Sequence, residues 1–224
     1  MRIPLAREGL PFVFSTAAPA VVFVIAARIN GGVVLWSLGI GISILAVFVI
    51  GFFRDPEREG PKGDDLIVSP ADGKVIDISV VEESSYLHGE ALRISIFLSL
   101  FDVHVNRYPV SGDVRLRDYE PGRFEPAWRT SASHSNERAS TGIDAGGTPI
   151  LVNQIAGLAA KRIVTYAEIG DKVGQGERMG LIRFGSRVDV YMPKDTIADI
   201  KVGDRAVGGV SVLARMPTQS ESVK

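Results

Sequence analysis

Two stretches near the N-terminus carry no charged residue: Gly9 to Ala27, closed by Arg28, and Val33 to Phe53, closed by Arg54. Neither shows a polar face, so neither reads as an amphipathic surface helix. At ~1.5 Å per helical residue the second reaches roughly 30 Å, the thickness of bilayer hydrocarbon. The first is slightly shorter and carries Pro19, which predicts a kink or a partly interfacial seat. Between them Arg28-Ile29-Asn30-Gly31-Gly32 is a turn signal. The pattern predicts a transmembrane helical hairpin over residues 1–55 with both ends on one side. Arg2 and Arg7 precede it, Arg54, Arg58 and Lys62 follow it, and the turn holds only Arg28. The positive-inside rule then places the rest of the chain on the cytoplasmic face of the cell (inner) membrane. A competing reading of the first stretch is a cleaved signal peptide, with Ala18-Pro19-Ala20 as a loose cleavage site. The second stretch would span the membrane in either case.

From Pro56 onward helical periodicity is scarce. Short apolar runs alternate with Gly, Pro and Asp: Leu66–Val68, Lys74–Val81, Leu92–Leu100, Ile150–Val152, Lys161–Thr165 and Arg187–Met192. That spacing predicts a mostly β domain over 56–216, a sandwich or barrel. Residues 119–148 are rich in Gly, Ser, Thr, Pro and Arg, with isolated Phe124 and Trp128, and predict a long loop. Residues 217–224 are polar and predict a disordered tail.

Composition removes several function classes. The chain has no cysteine, which excludes disulfides, thiolate catalysis and Cys-ligated zinc. Its three histidines, His88, His104 and His134, form no HExxH or HxH spacing, so no metal site is expected. A formal net charge of -1 and the lack of a basic run argue against a nucleic-acid partner.

The most informative segment is Gly180-Leu181-Ile182-Arg183-Phe184-Gly185-Ser186-Arg187-Val188-Asp189, set between two strand-like runs. Alone, Gly185-Ser186 is a turn dipeptide. It follows, in order, Phe52-Phe53-Arg54-Asp55-Pro56, Ser69-Pro70-Ala71-Asp72-Gly73-Lys74-Val75 and Phe97 to Arg107 with Asp102-Val103-His104-Val105-Asn106. Asn136-Glu137-Arg138, Gln154-Ile155-Ala156-Gly157 and Lys161-Arg162-Ile163 come next. This series, covering about residues 52 to 193, resembles the phosphatidylserine decarboxylase family, in its short, compact branch. Longer members carry a second histidine in the stretch that here reads Val105-Asn106-Arg107, which leaves open whether His104 serves both self-cleavage and decarboxylation.

The resemblance implies a lipoyl- or biotinyl-like β-sandwich or barrel that cuts itself between Gly185 and Ser186. It implies that Ser186 becomes a covalent pyruvoyl cofactor, and that the long and short chains stay together as a heterodimer, with higher oligomers open. The substrate would be phosphatidylserine in the bilayer and the product phosphatidylethanolamine, with the pyruvoyl ketone taking up the substrate amine and acting as electron sink as carbon dioxide leaves. The residues suit those roles. Ser186 needs a base to attack the Gly185 carbonyl, and Gly185 has no Cβ to obstruct it. His104 is the candidate base and proton donor, with Asp72 as its orienting acid. Asp102 is an alternative, because residues two apart on a strand share a face. The bland readings are a core histidine for His104 and a turn cap for Asp72. By resemblance Asn136-Glu137-Arg138 supports the site. Phe124 and Trp128 suit a lipid headgroup region, and Arg123, Arg129 or Arg138 could take the lipid phosphate.

The sequence supports two other readings. One is a decarboxylase of a different serine-headgroup lipid. The other rests on Gly170 to Gly180, which resembles the hairpins of lipoyl carrier domains and suggests a membrane-tethered carrier module. No Met-Lys-Met element for a carrier lysine occurs, and Phe184-Gly185-Ser186 has no role there.

Overall fold

The structure is a computed structural model, and it describes residues 4–122, 136–157, 163–183 and 186–217. The chain divides into two compact units, Met1–Glu57 and Arg58–Lys224.

The first unit is a helical hairpin. A 3-10 turn at Arg7–Gly9 leads into α1 (Leu10–Asn30), and α2 follows (Val33–Phe52). Gly31 and Gly32 turn the chain at φ 69° and 94°, which side chains with a Cβ rarely adopt. Pro19 lies inside α1 without ending it. The helices pack closely where Gly39 faces α2's partner: a Cβ there would sit 3.3 Å from the backbone nitrogen of Val24. Leu5 bridges to Arg54, Ala6 N–H donates to Phe53 O at 2.9 Å, and Asp55 N–H donates to Pro4 O at 2.8 Å, so both ends of the hairpin lie together. Both helices are long and apolar enough to cross a membrane, and most of their surface is left uncovered.

The second unit is built from strands. In chain order they are β1 (Leu66–Val68), β2 (Gly73–Glu83), β3 (Gly89–Leu98), β4 (Val105–Arg107), β5 (Gly112–Glu120), β6 (Arg138–Ala145) and β7 (Thr148–Ala156). Then follow β8 (Ile163–Thr165), β9 (Lys172–Val173), β10 (Arg178–Ile182), β11 (Ser186–Pro193), β12 (Ile197–Ala198), β13 (Arg205–Ala206) and β14 (Val212–Arg215). The main sheet has the order β13-β2-β3-β11-β7-β6-β5-β9 and curls into a half-barrel. Two three-stranded sheets, β1-β14-β12 and β4-β10-β8, complete the unit. The expected mostly β architecture behind an N-terminal apolar helical pair is therefore present.

Period-2 alternation sorts β11 between two faces. Val188, Val190 and Met192 join Ile94, Ile96 and Val152 in the main apolar core. Arg187 and Asp189 point the other way and are equally buried. Register extends that polar side across five strands, through Asp77, Ser95, Asp189, Asn153 and Ser140. Arg187 Nε donates to Asp189 Oδ1 at 2.6 Å and Arg187 Nη2 to Ser95 Oγ at 2.8 Å. Arg93 Nη2 donates to Asp77 Oδ2 at 2.8 Å. Burial pushes the Asp77 carboxyl up, but Ser79 and Arg93 outweigh it and hold the group below the ordinary aspartate value.

Of the loop expected over 119–148, residues 123–135 lie outside the described residues, and most of the described remainder is strand. β5 runs to Glu120, β6 covers Arg138–Ala145, and β7 begins at Thr148 after a turn at Gly146 and Gly147. The small polar residues of β6 hid it, yet it pairs with β5 on one side and β7 on the other.

Candidate active site

Ser186 opens β11 and is held from both sides. It pairs with Leu98 of β3 and with Ala156 of β7. Opposite residues of antiparallel strands share a face, so Ser186 lies on the core side with Val188 and Gln154. It is fully buried, and its Oγ has no hydrogen-bond partner among the described residues. An unpartnered buried hydroxyl costs stability and calls for a functional explanation. Phe184 and Gly185, named in the expected cleavage motif, lie outside the described residues.

His104 lies between β3 and β4 and is buried. Its Nδ1 is 2.9 Å from the main-chain oxygen of Asp102. A carbonyl only accepts, so Nδ1 carries the proton and, in the neutral ring, Nε2 is the basic nitrogen. The Ile182 N–H donates to the His104 carbonyl at 3.4 Å, four residues before Ser186. The structure thus brings Ser186 and His104 to the same end of the β-unit, with no hydrogen bond between their side chains.

Asp72 stands elsewhere in the hydrogen-bond network than the sequence suggested. Its carboxylate is gripped by Arg58, through Nη1 at 2.5 Å and Nη2 at 2.7 Å, and accepts the Gly208 N–H at 2.8 Å. The bond that orients His104 comes from Asp102, and through its backbone carbonyl rather than its acid. The Asp102 carboxylate instead staples its own turn: Oδ2 accepts Ser99 N–H at 2.8 Å and Ser99 Oγ at 2.7 Å, while Oδ1 pairs with Arg205. A short turn closed in this way leaves a main-chain oxygen as the nearest acceptor for an imidazole two residues on.

The surrounding polar residues are held firmly. Asn136 Nδ2 donates to Ala156 O at 2.7 Å, and Ala156 N–H donates to Glu137 O at 2.9 Å, so this pair braces the residue directly opposite Ser186. Gln154 Nε2 donates to Asn106 Oδ1 at 2.7 Å, and both side chains are buried on the Ser186 side. Arg138 pairs with Glu120 at 2.5 Å, so its guanidinium is already engaged. Arg123, Phe124, Trp128 and Arg129 lie outside the described residues. Burial pushes the Tyr108 phenol up to about 12, so it offers no competing base near neutrality.

Gly180 and Gly73 permit this crowding. A Cβ on Gly180 would lie 1.9 Å from Val164 O, and one on Gly73 would lie 2.2 Å from Phe97 O. A cavity of about 500 Å³ opens elsewhere, by Gly63, Asp64, Ser111, Gly146, Thr148 and Met216. At ~3.3 Å per residue, the eight steps along β7 from Thr148 to Ala156 put it roughly 26 Å from Ser186. It is not a substrate site for this serine. No group of three or more metal-ligating side chains occurs among the described residues.

Sequence reading missed Arg58, Asn106 and Gln154 as parts of the site, and Asp102 as the carbonyl partner of His104. Gln154 and Asn106 stood inside quoted motifs, but only the fold pairs them. Arg58 carried no signal beyond its charge beside the hairpin.

The geometry can be compared with known proteins. A family profile described as phosphatidylserine decarboxylase matches residues 45–214. A phosphatidylserine decarboxylase proenzyme of Symbiobacterium thermophilum is 48% identical over 219 residues, covering 97% of this chain and 98% of its own. Proteins of the same name from Carboxydothermus hydrogenoformans and Geotalea daltonii are 43% and 42% identical, covering 96% and 94% of this chain.

Proposed function

This chain belongs to the phosphatidylserine decarboxylase family, a family of carboxy-lyases, and from that premise we propose how its own residues decarboxylate phosphatidylserine to phosphatidylethanolamine. The observation that carries the reading is Ser186, a fully buried hydroxyl with no hydrogen-bond partner among the described residues, fixed at the first position of a central strand. A buried hydroxyl left without a partner costs stability, which a functional role would offset. A serine that is consumed in making a prosthetic group needs none.

Self-cleavage begins when Ser186 Oγ attacks the Gly185 carbonyl carbon and His104 Nε2 takes the hydroxyl proton. The Gly185–Ser186 amide becomes an ester, and loss of the Ser186 α-proton expels Gly185 as a carboxylate. Water then releases ammonia from the new terminus and leaves a pyruvoyl group at position 186. Ser186 suits this origin, since its strand pairs to Leu98 and Ala156 persist after the cut. When formed, the pyruvoyl group supplies the electron sink for loss of carbon dioxide from the serine headgroup. His104 then holds the proton returned to the substrate α-carbon. Asp102 O keeps the ring in the tautomer that both tasks need. Asp72 and Arg58 set the turn that follows β1 and its contact with Gly208. The long and short chains remain one body because β11 is the middle partner of β3 and β7. The hairpin anchors the enzyme with its β-unit on the cytoplasmic face.

Intact mass of the purified protein tests this. The expected species are residues 1–185 and 186–224, the second without a free amine and carrying an oxime after hydroxylamine. Ser186→Ala should give one uncut, inactive chain. An uncut wild-type chain with full activity overturns the reading.

A further inference from the structure

The turn that orients His104 also faces outward. Leu100 and Phe101 sit between Ser99 and Asp102 with 42% and 77% of their surface exposed. The turn is rigid, because Asp102 N–H donates to Ser99 O at 3.0 Å and the Asp102 carboxylate accepts both Ser99 donors. It therefore holds an aliphatic and an aromatic side chain in water, where each costs free energy unless something covers it.

The neighbours of this turn are basic and apolar. Arg205 of β13 reaches the Asp102 carboxylate yet stays 68% exposed along its side chain. Arg205 pairs in register with Lys74 of β2, which is exposed. The adjoining turn is fastened to β2 by Gly203 N–H to Val75 O at 2.9 Å, and presents Lys201 and Val202. Val207 is exposed just beyond β13. The acids here are Asp102, matched by Arg205, and Asp204, whose carboxylate accepts the Lys201 N–H at 2.9 Å. Three cations are thus interleaved with four exposed apolar side chains, around the turn whose Asp102 carbonyl holds the buried histidine.

We propose that this edge of the β-unit, led by Leu100 and Phe101, is a membrane-docking surface that seats the site on a bilayer carrying anionic headgroups. This deepens the reading above and rests on it for the substrate. Apolar side chains enter the headgroup and acyl boundary while Lys74, Lys201 and Arg205 meet the negative surface. A two-tailed lipid need not leave the bilayer, since the surface lies on the turn whose inner side holds His104.

The chain has no cysteine, so Phe101→Cys gives a single labelling position for an environment-sensitive fluorophore. Full-length protein is placed in nanodiscs of phosphatidylserine and phosphatidylcholine with brominated acyl chains. The label at 101 should be quenched. A label at Ile169→Cys, an exposed position on the loop that precedes β9, should not be. The Ser186→Ala background should show the same quenching, so docking is read apart from self-cleavage. No quenching at 101, equal quenching at both sites, or shielding at 101 without quenching, as a protein partner would give, overturns the proposal. Kinetics add a second readout. For Phe101→Asp, the ratio of kcat/KM on bilayer phosphatidylserine to that on a monomeric short-chain analogue should fall about tenfold, as expected for withdrawing one large apolar side chain from the interface. Ile169→Asp should leave that ratio unchanged, and an unchanged ratio for Phe101→Asp contradicts the proposal.

Discussion

Asp72 and His104 both sit in the β-unit, but different partners hold them. His104 is oriented by a main-chain carbonyl, which side-chain mutation cannot remove. Asp72 is held by Arg58 and Gly208. His104→Ala should slow self-cleavage by about 10²- to 10⁴-fold, the range for losing a positioned base, read as the uncut fraction over time on a gel. If Asp72 acts by shaping its turn, Arg58→Ala should slow cleavage as much as Asp72→Asn. Normal cleavage in Arg58→Ala with a slow Asp72→Asn would show that Asp72 reaches the reacting groups directly. A similar contrast applies to Arg187, whose buried pairing with Asp189 fixes the strand one residue past Ser186. Removing one partner of such a pair leaves a buried charge, which costs more than the pair gains.

At the scale of elements, the β2–β3 hairpin illustrates how one acid orders a turn. The Glu83 carboxylate accepts from Ser85 N–H at 2.8 Å, Ser85 Oγ at 2.5 Å, Tyr86 N–H at 2.9 Å and Leu87 N–H at 2.7 Å. It closes a loop in which His88 adopts φ 56°. Tyr86 and Leu87 then pack on the small apolar cluster of Ala91, Leu151 and Tyr191. Burial pushes the Glu83 carboxyl up, but these bonds outweigh it and hold the group below the 4.5 of an ordinary glutamate. A lowered folded value means stability that is present above the unfolded pKa and lost as pH falls through the folded one. Glu83→Gln should lower stability at neutral pH by about 1–3 kcal/mol. Its Tm should also fall less than that of the wild type on acidification below about pH 4.5. Equal acid sensitivity of the two proteins would show that Glu83 is not the responsible group.

At the scale of the whole molecule, the proposed function gives the two units different tasks. Every group assigned to self-cleavage lies in Arg58–Lys224, and the apolar helices lie in Met1–Glu57. A chain beginning at residue 58 should therefore still cut itself at 186. Its rate on bilayer phosphatidylserine should fall more than its rate on a monomeric analogue if the hairpin is the anchor proposed above. Sedimentation with vesicles, followed by mass analysis, measures both parts. Failure of the truncated chain to cut would mean that the hairpin contributes to the site.

The sequence alone determined what depends on local pattern. Uninterrupted apolar length marked α1 and α2, since a helix satisfies its own backbone hydrogen bonds without any distant partner. Short apolar runs between Gly, Pro and Asp marked β1, β2, β3 and β11, and the ordered motifs singled out Ser186 and His104 as candidates. Only tertiary structure decided what depends on pairing across distance. β6 carries small polar residues and became a strand because β5 and β7 flank it. Asp72 met Arg58, fourteen residues away, while His104 took the carbonyl of Asp102. Asn106 met Gln154 across 48 residues. Hydrogen-bond partners are chosen by register and by the order in which strands lie in the sheet, and neither is written in the spacing of residues along one strand.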